Sequence, residues 1–317
     1  MAPRHFVDLW KLEATDLRAI LDDARARKAA RLGWPKGQPD ADRPAEHRTL
    51  AMIFEKHSTR TRFSFDAAMR QLGGHTIISN AQDMQLGRGE PIEDTARVLS
   101  RMVDAIMVRA NVHEDLERLA LNADVPVING LSDRGHPCQI VADLMTIEER
   151  LGNVKGKAIA WVGDGNNVCA SFIHAAQAFG FKLNIACPPH FHPDLVDLAR
   201  ASQAGAAVQM SDDPTEAVRG ADCVVTDTWV SMGDVDLTER LDAFEPYQVD
   251  EVLMSEASPS AIFLHCLPAH RGEEVTADVI DGHQSAVWQQ AANRLPTEQA
   301  LIYALVTGDW TGREHAR

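Results

Sequence analysis

The sequence predicts an α/β protein of two domains, each a parallel sheet flanked by helices, joined by two long interdomain helices. Three observations predict it. At 317 residues the chain is near the size at which a single hydrophobic core stops growing. Short apolar runs alternate with amphipathic helical patterns, which is how a parallel sheet is covered on both faces. The alternation halts at one long helix and restarts after Gly152, placing a domain boundary near residue 150.

The elements follow in order. Leu12 to Arg31 reads as a first helix, with Leu17, Ile20, Leu21 and Ala24 on one face. Gly33 to Glu46, with three prolines and two glycines, is a polar loop. Then come strand 49–54, helix 59–72, strand 75–79, helix 91–102, strand 104–109, helix 113–121 and strand 125–128. Gly73-Gly74 ends the helix before it, where a left-handed residue costs little. Pro137 suits a first helical position and opens a helix running to Leu151. The second unit reads as strand 158–162, helix 167–179, strand 182–186, helix 193–204, strand 206–209, helix 213–219, strand 222–226, helix 247–257 and strand 261–265. A last helix, about 286–306, has no strand after it and is expected to return to the first domain.

Composition excludes several classes. The formal net charge of -15 opposes a nucleic-acid backbone, and no basic stripe with interleaved aromatics offsets it. No apolar run is long enough to span a bilayer or serve as a signal peptide. The five cysteines, Cys138, Cys169, Cys187, Cys223 and Cys266, lack metal-ligand spacing and are odd in number, so neither a disulfide framework nor a metal site is expected, and a reducing cytoplasm fits best.

Against that acidic background, Glu55-Lys56-His57-Ser58-Thr59-Arg60-Thr61-Arg62 stands where a strand meets a helix. Unpaired amide hydrogens and the positive end of the helix dipole make such a junction an anion site. Ser58 or Thr59 can cap the helix, and Arg60 adds a planar fork that matches phosphate oxygens. The plainer alternative is a surface cap with incidental arginines. Arg60 and Arg62 cannot share one helical face, so the second is expected to pair with an acidic neighbour.

Ligands of parallel sheets bind beyond the carboxyl ends of the strands, and those positions are polar here. Arg109 ends one strand; it either complements Arg60 around an anion or pairs on the surface with Asp104 or Glu114. His136 and Gln139 lie in the stretch Asn129 to Gln139 that follows strand 125–128; His136 is either a helix cap or a donor to a carbonyl oxygen gaining charge. Gly163-Asp164-Gly165-Asn166-Asn167-Val168 suggests a dinucleotide loop, but Val168 replaces the third small residue and no acidic residue closes the next strand. Cys266 is either a core thiol or a site residue. His265, its neighbour on the strand, should face the other way, which argues against a nucleophilic Cys–His pair.

Taken together, Phe54 to Arg62, His136-Pro137-Cys138-Gln139, Asp227-Thr228-Trp229-Val230-Ser231-Met232-Gly233 and His265-Cys266-Leu267-Pro268 resemble the signatures of the aspartate and ornithine carbamoyltransferase family, in order from about Leu9 to Thr307. The Asp227 to Gly233 loop with His265 to Pro268 is similar to the ornithine branch. The resemblance implies a carbamoyl phosphate-binding domain over 1–150, completed by 286–317, and an ornithine-binding domain over 151–285. It implies that Ser58, Thr59, Arg60, Thr61 and the backbone of Arg62 bind phosphate, with Arg109 and His136 on the phosphate or carbonyl oxygen, Gln139 on the carbamoyl amide, and Arg294 arriving from the last helix. It places Asn167, Asp227, Ser231 and Met232 on L-ornithine, and Cys266 and Leu267 between the substrates. Arg60, Arg109, His136, Asp227 and Cys266 would be the catalytic set, with no cofactor and no metal. Gln85 matches a segment lent to a neighbouring subunit, which implies a homotrimer or a multiple of trimers.

Two positions depart from the family pattern. His57 stands where proline is common, and Ala292 stands where an acidic residue often precedes Arg294 by two, removing an expected orienting partner. Two rivals follow: a related acceptor such as putrescine or acetylornithine, and a non-catalytic anion-binding protein on the same fold.

Overall fold

The computed structural model describes residues 3–230 and 237–311; Ser231, Met232 and Gly233 lie outside the described residues. The chain forms two compact units, one running to Val141 and resuming at Arg294, the other spanning Ala142–Asn293. It passes from one to the other within two long helices.

The first unit contains α1 (Ala14–Ala30), β1 (Thr49–Phe54), α2 (Arg60–Gln71), β2 (His75–Asn80), α3 (Ile92–Leu99), β3 (Ala105–Arg109), α4 (His113–Asn122), β4 (Val127–Leu131) and the start of α5 (Pro137–Leu151). Its strands are parallel in the order β2-β1-β3-β4. β1 and β3 have neighbours on both sides, which is why they read as unbroken apolar runs; Ile53, Ile106 and Val108 are core residues between α3 and α4. β2 is an edge strand, and its Ile77 and Ile78 are exposed.

Beyond α5, the second unit contains β5 (Ala158–Val162), α6 (Asn167–Phe179), β6 (Lys182–Ala186), α7 (Leu195–Gln203), β7 (Ala207–Ser211), α8 (Pro214–Val218), β8 (Cys223–Thr226), α9 (Leu237–Phe244), α10 (Glu251–Ser255), β9 (Ile262–His265), α11 (Ala277–Ile280) and the start of α12 (Val287–Thr307). These strands are also parallel, in the order β7-β6-β5-β8-β9. Buried Val162, Val224, Phe263, Val279 and Val287 form its core. Here α12 is fastened to α5 by polar bonds: Gln290 Nε2 donates to Asp143 Oδ1 at 2.7 Å, and Asn293 Nδ2 to Thr146 Oγ1 at 2.8 Å. Both sheets change direction of strand addition once, between β1 and β3 and between β5 and β8. A crevice opens at such points beyond the strand ends.

Four expectations need correction. β4 is displaced to Val127–Leu131, so Asn129 lies inside the strand and not after it. The cause is an unforeseen partner: Phe6 bridges to Ile128, accepting from Asn129 N and donating to Val127 O, both at 2.8 Å. Helix 247–257 shrinks to α10, because Pro246 sits in a 3-10 turn and Val249 bridges to Val275. Helix 91–102 ends at Leu99. α9 and α11 were not anticipated; both are short, and short helices carry little periodic signal. Among the described residues no helix is long and apolar enough to cross a membrane.

Candidate active site

In the first unit, β1 and β3 lie side by side with Phe54 opposite Arg109, so the residues following β1 and those ending β3 flank the switch point. Ser58 Oγ accepts from Thr61 N at 3.3 Å, so Ser58 caps the first turn of α2 and Thr59 does not. Thr61 is buried, and its Oγ1 accepts from Arg294 Nη2 at 3.2 Å. Arg294 Nη1 donates to Gln139 Oε1 at 2.8 Å. Thus α2, α5 and α12, remote in sequence, converge on one guanidinium.

His136 is buried at the start of α5. Burial first, then the charges of Arg294, Arg109 and Arg60, push its pKa well below the ordinary value. The ring is therefore neutral at physiological pH, and three cations surround it, an arrangement that favours an anion. Arg109 takes neither of its alternative surface partners: Asp104 pairs with Arg48 at 2.7 Å and Glu114 with Arg134 at 3.8 Å. Arg62 departs from expectation. It lies over the ring of Phe54, the last residue of β1, 5.4 Å from the centroid, because that ring offers it an aromatic face.

In the second unit, Asp227 follows β8 and is buried. Cys266 Sγ donates to its Oδ1 at 2.9 Å and Asn166 Nδ2 to its Oδ2 at 2.9 Å. Asn166 also caps α6, with Oδ1 accepting from Val168 N at 2.9 Å and Cys169 N at 3.2 Å. One residue thus ties the carboxylate to a helix start. Asn167 opens α6 beside it. Gly165 serves packing: a Cβ there would come within 2.3 Å of Pro193 N. That close approach accounts for the likeness to a dinucleotide loop.

Leu267 has φ of 59°, in the left-handed region, and its N–H donates to His265 Nδ1 at 2.9 Å. His265 Nδ1 is therefore an acceptor and Nε2 carries the proton, donating to Glu274 Oε1 at 3.1 Å. Burial raises the Glu274 pKa, but hydrogen bonds from His265 and His270 N outweigh it and hold the carboxyl below its usual range. His265 does not simply face away from Cys266: donor atoms of Asp227, His265 and Cys266 lie within 4.8 Å of one another. β9 ends at His265, so strand alternation no longer governs Cys266. The thiol nonetheless bonds Asp227 and the imidazole bonds Leu267 and Glu274, so no Cys–His nucleophilic pair forms. Asp8, His113 and Glu117 also cluster, with Lys11 bridging the two carboxylates, 2.8 Å from Asp8 and 2.5 Å from Glu117.

The structure therefore gathers Ser58, Thr61, His136, Gln139 and Arg294 with the charges of Arg60 and Arg109, and separately gathers Asp227 with Cys266. Gln85 is exposed on a 3-10 turn, Gln85–Arg88, and is not part of the buried Arg294 cluster. Sequence reasoning missed Asn166, Glu274 and Glu298. The one available signal was Asn166 at a helix start. None of the five cysteines forms a disulfide.

Two family models match the chain: the aspartate/ornithine carbamoyltransferase carbamoyl-P binding domain over residues 4–149 and the Asp/Orn binding domain of the same family over residues 155–305. The chain is 65% identical over 300 residues to the ornithine carbamoyltransferase of Caulobacter vibrioides, covering 95% of this chain and 96% of that one. It is 58% identical over 299 residues to that of Rhizorhabdus wittichii, covering 94% and 97%. Among solved structures, the ornithine carbamoyltransferase from Pyrococcus furiosus superposes with a TM-score of 0.90 at 48% identity, covering 97% of this chain and 98% of that one.

Proposed function

The chain belongs to the aspartate/ornithine carbamoyltransferase family, and from that premise we infer that it transfers the carbamoyl group of carbamoyl phosphate to the δ-amine of L-ornithine, giving L-citrulline and phosphate. The observation that carries an ammonium-bearing acceptor is the buried Asp227 carboxylate fixed by Cys266 and Asn166. Such a group suits an amino acid's ammonium. The relatives over nearly the whole length support the same reading.

In this reading Ser58, Thr59, Arg60, Thr61 and the backbone of Arg62 hold the phosphate at the start of α2. Arg60 offsets the charge growing on the leaving group. Arg109 and the neutral His136 donate to the phosphate or the carbonyl oxygen, which gains negative charge as the carbonyl carbon becomes tetrahedral. Gln139 takes the carbamoyl amide: its Oε1 accepts from Arg294 yet has a second lone pair for an N–H. Asp227, Asn167, Ser231 and Met232 hold the amino-acid end of ornithine, while Cys266 and the backbone at Leu267 line the space beside the attacking amine.

The δ-amine has a free pKa of roughly 10, so it must arrive deprotonated. Its nitrogen lone pair forms the new C–N bond, the C–O bond to phosphate breaks, and the amine proton leaves with phosphate. The assembly is a homotrimer or a multiple of trimers, with the exposed Gln85 reaching a neighbouring site, and it works in the cytoplasm.

The deciding assay offers ornithine, acetylornithine, putrescine and aspartate side by side with carbamoyl phosphate. Ornithine should be carbamoylated fastest. Preference for putrescine, which lacks the α-carboxylate of ornithine, or binding of phosphate without citrulline formation, would overturn the reading.

A further inference from the structure

Ala292 leaves Arg294 without an acidic partner two positions before it, but α12 supplies one a turn later. Glu298 Oε1 takes Nε of Arg294 at 2.9 Å and Nη2 at 2.7 Å. The same guanidinium reaches Gln139 through Nη1 and Thr61 through Nη2. A guanidinium is planar and rigid, so fixing its Nε edge fixes the direction of its remaining N–H groups. We propose that Glu298 is a positioning residue for carbamoyl phosphate, aiming Arg294 at Thr61, Gln139 and the ligand. The proposal rests on the reading of Arg294 as a ligand-binding residue.

The environment of Glu298 argues against a purely structural role. It is buried and lines a small cavity with Phe6, Ile20, Cys138, Val141 and Leu301. Burial pushes its pKa up to about 7, with Arg294 and the nearby Ser64 hydroxyl pulling the other way. The groups facing it are Arg294 on α12, Ser64 on α2 and the Cys138 thiol on α5, whose own pKa burial raises. Beyond Arg294 lie His136, Arg60 and Arg109.

A carboxyl with a folded pKa above its unfolded value weakens the fold as pH rises through that interval. The ionised Glu298 is thus a burden on stability at pH 8. A glutamine of the same shape relieves it, as replacing a buried charge often does. What glutamine cannot do is hold Arg294 through a charge-assisted pair.

The test measures KM for carbamoyl phosphate at saturating ornithine, and thermal unfolding, for the parent, Glu298→Gln, Arg294→Ala and the double variant. At pH 8 Glu298→Gln should raise KM about tenfold with Tm equal or higher. In the Arg294→Ala background it should change KM less than about twofold, since both act through one contact. The KM ratio of Glu298→Gln to parent should shrink below pH 7, where the parent's carboxyl takes up a proton. Unchanged KM in Glu298→Gln, with Arg294→Ala raising it, overturns the inference and leaves the Arg294 reading standing. Unchanged KM in Arg294→Ala removes that reading and the inference with it. Equal effects in both backgrounds, or a Glu298→Gln protein that does not fold, would show a structural carboxylate and also overturn it.

Discussion

The Cys266 thiol donates to Asp227 Oδ1 across 2.9 Å, joining the ends of β9 and β8. A thiol that donates to a carboxylate suits an orienting group and not a nucleophile. Replacing Cys266 with alanine should therefore raise KM for ornithine about tenfold and leave measurable turnover. Complete inactivity, with a covalent adduct trapped on Cys266 of the parent and seen by mass spectrometry, would refute this role.

Asn166 carries two duties, capping α6 and holding Asp227 Oδ2. Asn166→Ala should lose about 1 kcal/mol of stability through the cap. It should also weaken ornithine binding, whereas Asn166→Asp should restore the cap and place a second negative charge against Asp227. Chemical denaturation and ornithine KM, measured on both variants, separate the two duties. Equal ornithine KM in all three proteins would exclude Asn166 from orienting Asp227.

Arg60 starts α2 with its charge felt at His136. Under the proposed role of offsetting charge on the leaving group, Arg60→Gly should lower kcat/KM by about a thousandfold or more. Circular dichroism should show the fold intact. Turnover within tenfold of the parent would end the assignment.

A pH-dependent tether holds the N-terminal segment. Burial raises the Asp8 pKa, but His113 and Lys11 outweigh it and bring the carboxyl down to about 2, below its ordinary 3.8. Asp8 thus contributes stability above about pH 4 that is lost as pH falls towards 2. The His113 pKa is raised above 6.5 despite burial, mainly by Asp8; its share is present below pH 6.5 and lost as pH rises through the folded value. Asp8→Asn should cost about 2 kcal/mol at pH 5 to 6 and less on either side. Urea unfolding at three pH values checks it, and a cost independent of pH would rule the network out.

Regular elements were legible wherever periodicity was strong. α5, β5, α6 and β6 have the bounds the pattern predicts: the helices are long and open on Pro137 or beside the capping Asn166, and the strands are short apolar runs with largely buried residues. The pattern failed where a distant partner intervened, as when Phe6 lengthened β4 and moved Asn129 into the sheet. Arg62 failed for a similar reason. Spacing showed that it could not share a face with Arg60, but only the folded chain offered it the Phe54 ring.

By itself the sequence determined the alternation of strands and helices, the parallel sheets, and which polar residues stand after which strands. These depend on local propensity and on the period of apolar positions, which are written along the chain. Tertiary structure decided the pairings. Arg294 meets Thr61, Gln139 and Glu298, and Asp227 meets Cys266 and Asn166, through bonds whose partners are set by strand order and helix packing. Such contacts have no sequence period. They exist because parallel strands deliver their carboxyl ends to one edge of a sheet, where buried polar groups must find one another or lose their hydrogen bonds.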